Sequence, residues 1–140
     1  MLTEISCINY KIFIAGEEGN EFNINKICLE QDTIDKKIIS YVRLYANLKQ
    51  DGSVFEKEYL FELSKLKDWL YSLYSIGVNR KMQTSMQVDD NISIKIEIVQ
   101  DGKAKLSIQN KLTNYLFTLT ASINDFKNFQ QSWKRAISFI

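Results

Sequence analysis

Glu56 and Glu58 stand two residues apart in SVFEKEYLFE, a stretch that reads as a strand, and Glu62 continues the same alternation. Same-face carboxylates two residues apart on a strand lie about 7 Å from each other, which overlaps the spacing of acid/base pairs that cleave glycosides with inversion. Carboxylates exposed to water keep ordinary pKa values, however, and nothing nearby in the sequence shapes a sugar cleft. These carboxylates read first as charges on a solvated sheet face. Asp89, Asp90 and Asn91 could begin a cation loop, but the remaining ligands of an EF-hand pattern are missing and a turn is expected. Gly16-Glu17-Glu18-Gly19 has the glycines of a phosphate loop, yet its two carboxylates would repel phosphate. Cys7 and Cys28 lack CxxC spacing, and two cysteines fall short of the four N or S ligands that zinc takes. They are expected as reduced, buried thiols, although one disulfide is compatible with the sequence.

The chain has no histidine. Ser–His and Cys–His nucleophile pairs, HExxH metal sites and the commonest general base are therefore excluded. The expectation is a protein that is not an enzyme, with no cofactor and no metal. Eighteen Lys and Arg against 17 Asp and Glu give a net charge of +1. A dedicated nucleic-acid binder usually carries a strongly basic face, so no nucleic-acid partner is expected. No apolar run approaches the length of a membrane span, so no membrane partner is expected. Glu4 stands where a signal peptide would be basic, and a cytoplasmic protein is expected. With 140 residues, 45% of them hydrophobic, the chain suits one domain over 1–140 with a sizeable core.

The elements that must position these groups are mostly strands. Ile92, Ile94, Ile96 and Ile98 share one face of ISIKIEIV, with Ser93, Lys95 and Glu97 on the other. Residues 41–49 alternate likewise and place Val42, Leu44, Ala46 and Leu48 inward. Shorter strands are predicted at 8–14, 22–29, 54–62, 84–88, 104–111 and 115–120. Two segments switch to helical period. Leu66, Trp69, Leu70 and Leu73 form a stripe over 64–76, with Ser64 as N-cap and Gly77 at the end. Ile123, Phe126, Phe129, Trp133, Ala136, Ile137 and Ile140 form another over 122–138, with Ser122 and Asp125 as its capping signal. The fold class is thus α+β, an antiparallel β-rich domain of two similar halves, each closed by one amphipathic helix.

Short words recur in the same order. Gln50-Asp51-Gly52 returns as Gln100-Asp101-Gly102, and Tyr59-Leu60-Phe61-x-Leu63 returns as Tyr115-Leu116-Phe117-x-Leu119. This points to an internal duplication of roughly 1–77 and 78–140. Around the first QDG, setting Leu48 opposite Phe55, Leu44 opposite Tyr59 and Val42 opposite Phe61 keeps every apolar residue on one face, which suits a two- or four-residue loop. Around the second, a three-residue loop pairs Ile98 with Ala104, Ile96 with Leu106 and Ile94 with Ile108. It sets Glu97 against Lys105 and makes Gly102 the left-handed residue of a bulge.

The first of these hairpins turns outward Tyr41, Arg43 and Tyr45 beside Glu56, Glu58 and Glu62. Tyrosine and arginine are enriched in binding hot spots, so this strip is the candidate partner-binding surface. The same Tyr41, Arg43 and Tyr45 offer a platform for stacked bases, a reading that the balanced charge disfavours. The acidic loop with Glu17, Glu18 and Glu21 is the fallback surface.

The pattern over Ile39–Leu73 and Ile92–Ile137, two strand-rich halves each closing with a helix after a YLFxL-like strand, resembles the WapI-type bacterial immunity proteins. That resemblance implies a non-enzymatic cytoplasmic protein that binds and neutralises a cognate toxin domain. A general protein- or ligand-binding module is the alternative. The oligomeric state is not set by the sequence.

Overall fold

Most of the apolar alternation becomes strand. The computed structural model describes residues 1–74, 83–100 and 102–139, the side chains of Leu73 and Tyr74 excepted. Among them lie β1 (Thr3–Ile8), β2 (Ile12–Ala15), β3 (Glu21–Ile34), β4 (Lys37–Gln50), β5 (Ser53–Glu62), α1 (Leu63–Tyr74), β6 (Gln83–Gln87), β7 (Ile92–Gln100), β8 (Lys103–Asn110), β9 (Tyr115–Ser122) and α2 (Ile123–Ser138). The strands form two antiparallel sheets. The first runs β1-β3-β4-β5, with β2 also pairing β3, and the second runs β6-β7-β8-β9. The fold is α+β, as expected. No helix among the described residues is long and apolar enough to cross a membrane.

Both predicted registers are observed. Leu48 faces Phe55, Leu44 faces Tyr59 and Val42 faces Phe61 around a two-residue turn. Asp51 and Gly52 there take φ of 53° and 82°, the pair of left-handed residues that a type I′ turn needs to match strand twist. Ile98 faces Ala104, Ile96 faces Leu106 and Ile94 faces Ile108, and the register shifts between Ile98 and Gln100. Gly102 has φ of 73°. Asp101, Gly77 and Ile140 lie outside the described residues, as does the side chain of Leu73.

Three elements differ from expectation. The strand predicted over 8–14 is broken: Ile8 ends β1 and Ile12–Ile14 lie in β2, because β1 and β2 pair with successive parts of β3 on either side of a bulge between Ile24 and Lys26. That bulge lets both Ile24 and Ile27 face inward, where each is fully buried. The β3–β4 hairpin also reaches far beyond 22–29, turning at Asp35 and Lys36, which take φ of 50° and 65°. Ile34 and Ile38 near its tip are exposed. Finally, α1 begins at Leu63, so Ser64 lies inside its first turn and donates to the Glu62 carboxylate. Ser122 does cap α2, accepting from the Asp125 N–H at 3.0 Å.

The core gathers the inner faces of both sheets with Leu66, Trp69 and Leu70 of α1 and Phe126, Phe129, Trp133 and Ala136 of α2. Phe22 of β3 meets Phe117 of β9 and Phe129 of α2, and Phe129 meets Trp133 edge-on. One aromatic chain thus ties the first sheet to the helix that follows the second.

Candidate binding site

Register places the predicted residues on the outer face of the first sheet. Tyr41 faces Glu62, Tyr45 faces Glu58 and Asn47 faces Glu56, so alternation turns Arg43 outward with them. Arg43 does not stand free. Its Nε and Nη2 fork onto the two carboxylate oxygens of Glu30, the latter at 3.2 Å, and its Nη1 lies 3.7 Å from Glu58. Glu30 is buried and lies one residue beyond the strand predicted over 22–29. The outward alternation Lys26, Cys28, Glu30 could have found it, since an arginine on the neighbouring strand asks for a carboxylate. The bidentate bond to Glu30 raises the Arg43 pKa, helped by the charges of Glu30 and Glu58. Tyr45 is also held above its ordinary value, first by removal of water and then by the neighbouring Glu58 carboxylate. Lys26 lies 5.2 Å from the centre of the Tyr45 ring.

The cysteines correct the sequence reading. Cys7 and Cys28 are direct cross-strand partners of β1 and β3 with Cα atoms 4.1 Å apart, and they form a disulfide. Pairing is a consequence of register, which brings the two into bonding reach. The Glu4 carboxylate lies within 4.8 Å of both sulfurs, but bonded sulfurs leave no thiolate for a metal.

Four of the six predicted residues, Tyr41, Arg43, Glu58 and Glu62, line one cleft of about 370 Å³. The far wall comes from the second sheet: Met86 of β6, Val88 and Asp89 of the following turn, and Ile92 of β7. Tyr45 and Glu56 lie beyond it on the same sheet face. Tyr59 and Phe61 line the cleft from the inner side of β5, and burial raises the Tyr59 pKa strongly. Lys65 answers Glu62 across one helical step at 3.7 Å. The Asp89 carboxylate accepts from the N–H groups of Asn91 and Ile92, as a turn-forming aspartate does. The cleft therefore joins a charged, aromatic rim, in which Arg43 and Lys65 stand beside the carboxylates, to an apolar wall.

The acidic loop between β2 and β3 is occupied with structure. The Glu17 N–H donates to the Thr120 carbonyl and Glu18 accepts from the Thr120 N–H, while Asn20 donates to the Thr118 carbonyl at 2.7 Å. Lys103 pairs with Glu17 at 2.7 Å. Gln50, beside the β4–β5 turn, donates to the Leu116 carbonyl. Together these groups cover the outer edge of β9.

No family model matches the sequence, and no curated protein does. Two solved structures are similar in outline. The WHY1 protein of Arabidopsis thaliana has a TM-score of 0.45 and 16% identity, covering 93% of this chain and 82% of the other. The plant transcriptional regulator PBF-2 has a TM-score of 0.46 and 14% identity, covering 94% and 81%. At that level neither partner nor chemistry transfers. The expectation of no nucleic-acid partner is withdrawn, because it rested on net charge alone. Net charge is a whole-chain average, and it leaves a sheet face free to be locally basic.

Proposed function

We propose that this chain is a non-catalytic binding protein that holds a basic protein partner in the cleft between β5 and β6. The partner is a toxin domain of the kind that WapI-type immunity proteins neutralise, and the protein acts in the cytoplasm. One observation carries this reading. Tyr41, Glu58 and Glu62, picked out as a recognition strip, share a single cleft with the apolar Met86, Val88 and Ile92. Aromatic and apolar groups supply contact area, and carboxylates steer a cationic partner. The recurrence of YLFxL in the last strand before each helix supports two halves that arose by duplication. Cytosolic reductants would open the Cys7–Cys28 bond, and neither cysteine lines the cleft.

The test uses the variable C-terminal domain of a large protein encoded beside this one. Co-expression with the wild-type chain rescues growth, and the purified pair binds. Changing Glu58 and Glu62 together to lysine leaves a folded protein whose affinity falls about tenfold or more and whose association at low salt is slower. Unchanged affinity and salt dependence in the folded double variant would overturn the assignment of this cleft. So would an oligonucleotide that binds in this cleft of the wild-type chain.

A further inference from the structure

We infer that the free edge of β5 accepts an extended strand from the partner, and that this strand alternates basic and apolar residues. The inference rests on the reading above and specifies the form of the partner segment. Hairpin geometry decides which groups β5 offers. Gln50 and Ser53 close a two-residue turn and so exchange hydrogen bonds, as do the pairs 48–55, 46–57, 44–59 and 42–61. Glu56, Glu58 and Leu60 therefore turn their N–H and C=O groups away from β4. Among the described residues no strand pairs on that side.

Side chains dictate what an added strand must carry. In an antiparallel addition, residues bonded to Glu56, Glu58 and Leu60 would point their side chains to the same outer face as those carboxylates. Glu62 lies on that face too, and Arg43 there is already engaged by Glu30 and Glu58. Lysine or arginine is the matching choice. The intervening residues would point inward, toward Tyr59, Phe61, Met86 and Val88, and want apolar side chains. A second copy of this chain fits poorly, because its β5 would bring Glu56 and Glu58 against their own kind. Backbone hydrogen bonds would supply affinity and the alternation would supply specificity, as in other strand additions.

The probe is a synthetic Lys-Val-Lys-Val-Lys-Val-Lys peptide, with two further versions N-methylated at the lysines or at the valines. The parent is expected to bind and to slow amide exchange at Glu58 and Leu60. N-methylation at the lysines, whose N–H groups face β5, lowers affinity tenfold or more, while N-methylation at the valines changes it little. Changing Glu58 and Glu62 to lysine also lowers it tenfold or more. Equal binding of all three peptides would overturn strand addition while leaving charge-based capture intact. Absence of parent binding, equal binding of a peptide with glutamate for lysine, or dimerisation of the chain through β5 would overturn it as well. If the peptide binds as expected and the toxin domain does not, the strand site stands and the immunity reading alone fails.

Discussion

The outer edges of β9 and β5 carry the same YLFxL word and are treated in opposite ways. On β9, the carbonyls of Leu116 and Thr118 and both backbone groups of Thr120 are bonded by Gln50, Asn20, Glu17 and Glu18. On β5, Leu60 occupies the position of Leu116 in that word, yet its edge opens into the cleft. An exposed strand edge is a template for pairing with another chain, and proteins usually blunt it. Here one edge is closed by groups from the first sheet, and the other is left beside apolar residues and carboxylates. The difference lies in the connections, because the β2–β3 loop and the β4–β5 turn both reach over β9.

The comparison requires that both sheets fold as one body. Trp133 tests this most severely, since it is buried on α2 and its ring meets Phe129, which meets Phe22 of β3. Trp133→Asp places an unpaired charge in that chain of aromatics and should cost more than about 4 kcal/mol, leaving no cooperative transition. Circular dichroism melting checks it. Survival of a transition that reports the first sheet alone would mean that the two edges belong to separately folding units.

The opposite margin of the first sheet is tied by Cys7–Cys28, which closes a loop with a sequence separation of 21. Loop-closure entropy gives such a bond a contribution of about 3 kcal/mol. Cys7→Ser with Cys28→Ser should lower stability by about that amount in urea unfolding, and added reductant should do the same to the wild type. A much smaller loss would mean that pairing with β3 alone holds β1 and that this margin needs no tie.

Asn20 links the cover of β9 to the β4–β5 turn. It is 5% exposed, donates to the Thr118 carbonyl and accepts from the Asp51 N–H. Asn20→Ala leaves both partners without a bond and should cost about 1–3 kcal/mol. Amide exchange at Thr118 and Thr120 should rise toward that at Glu58 and Leu60. No rise would show that packing, not these hydrogen bonds, closes the edge.

Much of each sheet was legible in sequence, and the space between them was not. Alternation of Val42, Leu44, Ala46 and Leu48 against Phe55, Tyr59 and Phe61 permits one register, because a slip by one residue would turn them all to water. The isoleucines of β7 work the same way. Glu30, Asn20 and the Cys7–Cys28 bond depend on where β3 begins and ends. Its bulge at Asn25 breaks the period that would have extended the strand. The cleft depends on how the β5 edge sits beside β6, a long-range fact with no local pattern, so Met86 and Val88 could not be joined to Tyr41 beforehand. Charge balance decides nothing about nucleic acid, because it averages over the whole surface.

The smallest effect concerns whether Glu58 is available at the open edge. Its carboxylate lies 3.7 Å from Arg43, and half of its side chain is exposed. Burial, and then Glu58, hold the Tyr45 phenol above its ordinary value, while Arg43 pulls it down. A raised folded-state pKa means that the protonated phenol favours the folded chain below the unfolded value of about 10, and that this contribution fades as pH rises through the folded value. Glu58→Gln removes a negative charge that opposes ionisation, so the Tyr45 midpoint should fall. Titration of its ring carbon by NMR reads this directly. An unchanged midpoint would place the Glu58 carboxylate away from Tyr45, turned out of the outer-face row, and the strand proposed for β5 would then meet a different charge pattern from the one described.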